Sequence, residues 1–166
     1  MATNTSNPHS FLWEANEYAG AVRLKRGLTV SNTTLKAGDP IILSSLQGGR
    51  IALAGVVSVA LFGFAAENLT GVTGTRASAA YIPALEGYTF SAQHGTAANT
   101  LNITAGYIGK RCGIMNVSNG KICLNAAATT SVLEIVGLRR VPGNKWGTLA
   151  QLLVKVVRSS YSGSIR

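Results

Sequence analysis

The sequence predicts an all-β chain: a single small β-barrel or sandwich domain carrying an extended N-terminal arm. Three observations support this. From Gly20 onward, short apolar or alternating runs are separated by Gly, Asn, Asp and Pro turns. Asn119-Gly120 lies between CGIMNVS and KICLN, a strong hairpin signal because both residues tolerate the positive φ of a type I′ turn. Hydrophobic residues make up 46% of the 166, enough for a core.

Residues 1–19, MATNTSNPHSFLWEANEYA, read as the arm, 20–158 as the domain and 159–166 as a polar, basic tail. The arm is polar at first, then brings Phe11, Leu12 and Trp13 close together. Large aromatics dominate interface energetics, so these three are candidate anchors on a partner. The other reading is that the rings pack back onto their own domain. MATNTSNPHS lacks the basic and apolar regions of a secretory signal.

The alternation in AVRLKRG predicts a strand over Ala21–Lys25. Gly38-Asp39-Pro40 punctuates a turn before the short strand PIILSSL. Ile51–Ala66 is the longest apolar run, but Gly55 and Gly63 break it, and it is shorter than the ~20 residues of a membrane helix. It reads as two buried strands with a turn near Ala54-Gly55, and Gly63 marks a bulge or a close backbone approach. A Gly/Thr/Ser-rich loop follows, then YIPALEG, YTFSAQ, the loop HGTAAN, TLNITAGYIGK and the hairpin. SVLEIVGLRRV is a strand pattern and VPGNKWG a loop. TLAQLLVKVV fits a strand face or a helical face, and its valines favour the strand.

A type I′ turn at Asn119-Gly120 sets Ser118 opposite Lys121, Val117 opposite Ile122 and Asn116 opposite Cys123. Cys112 then lies about 13 Å from Cys123 at ~3.3 Å per residue, beyond the ~7 Å reach of a disulfide. Two free thiols are expected.

Catalytic chemistry finds few materials. Asp39 is the only Asp, and His9 and His94 are the only histidines. No G-x-S-x-G elbow, C-x-x-C pair, H-x-x-x-H pair or acidic Ca²⁺ loop is present, and Gly109-Lys110-Arg111 lacks phosphate-loop spacing. No enzyme activity, metal or cofactor is expected. Glu134 alternates with Val132 and Val136, which predicts an inward carboxylate needing a basic partner.

Charge is sparse and uneven. Charged residues are 13% of the chain, about half the ~25% of an average soluble domain, which suggests a surface that meets other protein chains. The net charge is +9, yet residues 1–20 hold Glu14 and Glu17 and no basic residue. A basic body suits an acidic partner. Tyr107 near Lys110 and Arg111, and Lys145 beside Trp146, give the ring-and-cation neighbours of a nucleic-acid-binding barrel. Aromatics at 7%, without repeated interleaving, weigh against nucleic acid.

The segments IPALEGYTFSAQ, NITAGYIGKRCGI and VLEIVGLRRVPGNKWGTLAQLLVKV resemble the small β-barrel of tailed-bacteriophage virion proteins. LKAGDPIILSS and VALFGFAAEN are similar to capsid decoration, or cement, proteins of that group. The resemblance implies a structural virion protein on the capsid exterior that bridges major capsid protein subunits, forms a homo-oligomer (a trimer is favoured), and uses a terminal arm. It does not separate a head component from a tail or fibre-base component. It carries over no catalytic residue. Phe11, Leu12 and Trp13 are the expected arm anchors, and Arg139, Arg140, Lys145 and Arg158 the expected charge contacts.

Overall fold

The computed structural model describes residues 11–16, 22, 24–44, 48–55, 60–85, 87–95, 101–117, 121–125 and 132–157, with only the backbone of 15, 16, 115–117 and 121–123. The chain is all-β, in two antiparallel sheets. The strands are β1 (Leu12–Asn16), β2 (Lys25–Leu28), β3 (Pro40–Ser44), β4 (Arg50–Leu53), β5 (Gly63–Ala65), β6 (Ser78–Pro83), β7 (Tyr88–Gln93), β8 (Arg111–Val117), β9 (Lys121–Asn125), β10 (Leu133–Leu138) and β11 (Gln151–Val156). A 3-10 turn covers Ala105–Tyr107.

One sheet runs β2-β6-β5-β3-β4, the other β1-β7-β11-β10-β8-β9. Apart from β1, the two follow the same circuit. In each five-strand unit the first strand pairs with the fifth, the fifth with the fourth, the fourth with the second and the second with the third. The backbone bonds repeat position by position. Thr29 N–H donates to the Ala77 carbonyl at 2.9 Å, as His94 N–H does to Ala150 at 2.8 Å. Val30 donates to Ile51 at 2.9 Å, as Gly95 does to Leu124 at 3.0 Å. Gly38 donates to Ala65 at 2.7 Å, as Gly109 does to Ile135 at 2.8 Å, and both glycines have positive φ, at 88° and 81°. Residues 25–83 and 88–156 are therefore two copies of one β unit in tandem.

Each unit curls until its first and third strands touch, through single parallel bridges at Thr29–Ile51 and His94–Leu124. One bridge is not a ladder, so the sheets do not close into barrels. The sandwich half of the expectation holds, and the barrel half does not.

Strand alternation builds the core. Ile41, Ile51, Ala65 and Tyr81 point into the first unit, and their counterparts Cys112, Leu124, Ile135 and Val154 into the second. Ile42, Phe64 and Ile82 face the other way from the first sheet and join the core of the second. Phe64 packs on Phe90 of β7 at 4.1 Å between centroids and on Phe11 at 5.0 Å, tying both sheets and the N-terminal segment together.

Several expectations change. The second strand starts at Lys25, since Val22 and Leu24 are not in a strand. The run after Arg50 does give two strands, but β4 and β5 flank β3 instead of pairing with each other. A Cβ on Gly63 would lie 2.4 Å from the Ile82 carbonyl oxygen, so the close-approach reading holds. The hairpin register is one residue off the type I′ expectation: Val117 pairs with Lys121, Asn116 with Ile122 and Met115 with Cys123. The core decides it. A one-residue slip turns a strand over, and this register sets buried Ile114 opposite buried Leu124. Residues 118–120 themselves lie outside the described residues. Glu134 faces outward, because the buried side chains of β10 are Leu133 and Ile135, and it pairs with Lys155 at 3.6 Å. Within TLAQLLVKVV, Gln151–Val156 forms the strand β11, so the strand reading holds.

Candidate interaction face on the six-stranded sheet

Residues 11–16 do not stand off as a free arm. They form Phe11 and β1, which extends the second sheet through β7, with Leu12 opposite Ser91 and Trp13 opposite Phe90. Alternation then separates the three expected anchors. Phe11 is 2% exposed and Trp13 packs against the core, so their rings sit on the chain's own fold. Leu12 points outward and is 40% exposed.

Leu12 stands in a row that crosses the sheet, through Ser91 and Leu153 to Gly137. Beside this row lies a polar cluster. The Ser91 hydroxyl donates to Glu14 Oε1 at 2.5 Å, and Arg139 Nε lies 2.7 Å from the same oxygen. The Arg139 approach is a charge contact and not an aligned hydrogen bond, because its Nε–H has no acceptor in line. Arg139 Nη1 also donates to Gln151 Oε1 at 3.0 Å. Asn144 stitches the strand ends: its Nδ2 donates to the carbonyls of Arg139 and Gln151 at 2.8 Å each, and its Oδ1 accepts Gln151 N–H at 3.0 Å. Such side-chain bonds hold the β10–β11 loop in one geometry.

An open groove of about 620 Å³ borders this cluster. Ile108, Val136, Leu138, Val141 and Leu153 supply apolar walls, Arg139 and Arg140 the charge. No acidic residue is among its described lining residues. Arg140 is exposed and has no carboxylate partner among the described residues. The structure thus brings Leu12, Arg139 and Arg140 to one face. Lys145 is exposed in the following loop, and Arg158 lies outside the described residues.

Val136, Leu138, Leu153 and Asn144 were not anticipated. For Val136 a signal existed: VLEIVGL sets Ile135 and Val136 side by side, so one of them had to face outward, whereas Leu138 lies past a bulge, opposite buried Leu152, and packs on the core at the groove's edge.

The titratable residues are scattered. The Asp39 carboxylate accepts Lys36 N–H at 2.8 Å, closing the turn before β3. His94 is fully buried, and among the described residues neither ring nitrogen has an aligned hydrogen-bond partner. Burial pushes its pKa down, outweighing the opposing effect of the neighbouring Leu124 backbone. Cys112 is a free, buried thiol whose pKa burial pushes up to about 12, far from a reactive thiolate; the Cys123 side chain lies outside the described residues. No three His, Cys, Asp or Glu gather to hold a metal among the described residues. No helix among them is long and apolar enough to cross a membrane. Lys110 Nζ lies 4.4 Å from the centre of the Tyr107 ring. In comparisons with protein-family models, curated proteins and solved structures, nothing matches this chain.

Proposed function

We propose that this protein is a structural virion component that binds the outer surface of a capsid and bridges major capsid protein subunits as a homo-oligomer. The observation that carries the reading is the outward face of the six-stranded sheet. It presents Leu12, Leu153 and Val136 beside Arg139 and Arg140 on strands pinned by Asn144. A rigid face of aliphatic and cationic side chains on a charge-poor chain suits docking to protein. The function is mechanical: each copy adds buried area across a subunit junction, typically on the order of 1,200–2,000 Å² for a specific contact, and many copies act together.

Truncating the N-terminus is a poor test, since Phe11 belongs to the core. Leu12→Glu combined with Arg140→Glu alters the face while sparing buried residues. Purified protein is mixed with empty heads, and co-sedimentation and head melting are measured. The double variant should bind at least roughly tenfold more weakly while its own melting is unchanged. Wild-type-like decoration by this variant would refute the face assigned here. Binding to single-stranded nucleic acid that falls steeply with salt, with none to heads, would favour the nucleic-acid reading suggested by Lys110 over Tyr107.

A further inference from the structure

We infer that the groove beside β10 is a strand-addition site for an extended, acidic segment of a partner protein. The inference goes beyond the proposed function and holds whether or not that partner is a capsid subunit. Three observations carry it.

The first is an unpaired strand edge. β10 pairs with β8 only through Leu133 and Glu134, while its pairing with β11 continues to Leu138. Ile135 still bonds to the Gly109-Lys110 segment. Beyond it, among the described residues, no strand covers β10 on that side. Arg139 N–H donates to Gln151 on β11 at 3.0 Å. Backbone groups alternate in direction along an antiparallel strand, so those of Leu138 point the other way, toward the groove. A row of unpaired N–H and C=O groups is a template for another strand.

The second is the first unit, which shows the corresponding place filled. Just past Ala65, the counterpart of Ile135, Leu69 and Leu35 exchange reciprocal N–H···O=C bonds at 2.8 Å each. Leu35 is buried in that unit's core. The first unit thus covers this edge with its own chain, an extended piece carrying an aliphatic residue. In the second unit the chain ahead of β8 turns through the 3-10 turn at Ala105–Tyr107, and Ile103 pairs with distant Gly147 instead. The groove is what that detour leaves open.

The third is chemistry. The walls are aliphatic, Arg140 is exposed without a carboxylate partner among the described residues, and no acid is among the described lining. An added strand with alternating aliphatic and acidic residues would turn one set onto Val136 and Ile108 and present a carboxylate to Arg140.

The test is amide chemical-shift mapping of the full chain during titration with a short alternating Glu–Val peptide, with a Lys–Val peptide as control. The Glu–Val peptide should shift the amides of Val136, Leu138 and Arg140, and Arg140→Glu should weaken its binding roughly tenfold or more. Absence of shifts at these amides with millimolar peptide would overturn the inference. So would equal binding of the Lys–Val peptide. Concentration-dependent changes at the same amides without peptide would make a second copy the occupant, and identical shifts from a single-stranded oligonucleotide would make it nucleic acid; either result also overturns it. Because no heads are used, a failure here is distinct from a failure of capsid binding.

Discussion

His94 and Thr29 hold the same place in the two units but meet their surroundings differently. The Thr29 hydroxyl donates to the Ala77 carbonyl and accepts Ala77 N–H, both at 3.2 Å. The His94 ring is buried without an aligned hydrogen-bond partner among the described residues, which the fold tolerates only while the ring is neutral. Its pKa is lowered in the folded state and near 6.5 when unfolded. The unfolded chain therefore binds the proton first as pH falls. The contribution is complete above about 6.5 and erodes as pH drops through the folded-state pKa. Urea midpoints should fall between pH 7.5 and 5, and His94→Leu should flatten that slope. An unchanged slope in the variant would show that other groups control it.

The elements are shaped by a few backbone positions. Gly109 precedes β8 at φ 81°, and its counterpart Gly38 precedes β3 at φ 88°. A Cβ at Gly109 would meet nothing within 4 Å, so only the left-handed conformation opposes a side chain there. Gly109→Ala should therefore cost about 1–2 kcal/mol, measurable by chemical denaturation. Gly63 is constrained differently, by the Ile82 carbonyl oxygen 2.4 Å from where a Cβ would sit. The hairpin shows the limit of local rules. Asn119-Gly120 falls between two strands that do pair, yet the burial of Ile114 and Leu124 decided which residues pair. Glu134 likewise looked inward by its alternation with valines, and the burial of Leu133 and Ile135 turned it outward.

At the scale of the molecule, Phe64 joins the two units. It belongs to β5 but packs in the core of the second sheet, between Phe11 and Phe90. Phe64→Ala should lose about 3–5 kcal/mol, and it should loosen the units from each other. Wild-type unfolding is expected as one cooperative transition by fluorescence and by hydrogen exchange. The variant should show the amides of β2–β6 and β7–β11 opening with different free energies. A variant that keeps a single transition of wild-type stability would deny Phe64 this role.

The sequence alone determined the all-β class, most strand positions and the scarcity of acid–base residues. Those follow from alternation, turn chemistry and composition, which are local. The repeated circuit was invisible: aligned by their pairing, the units share little beyond Gly38 with Gly109 and Ala77 with Ala150. Backbone hydrogen bonding repeats where side chains differ, because a ladder asks only for parity and burial. The candidate face was half legible. Leu12, Arg139 and Arg140 could be named from type and position, but their union required β1 to pair with β7, far along the chain. The groove depended on something no local pattern encodes, the Ala105–Tyr107 turn standing where the first unit covers the edge with the extended pairing of Leu35.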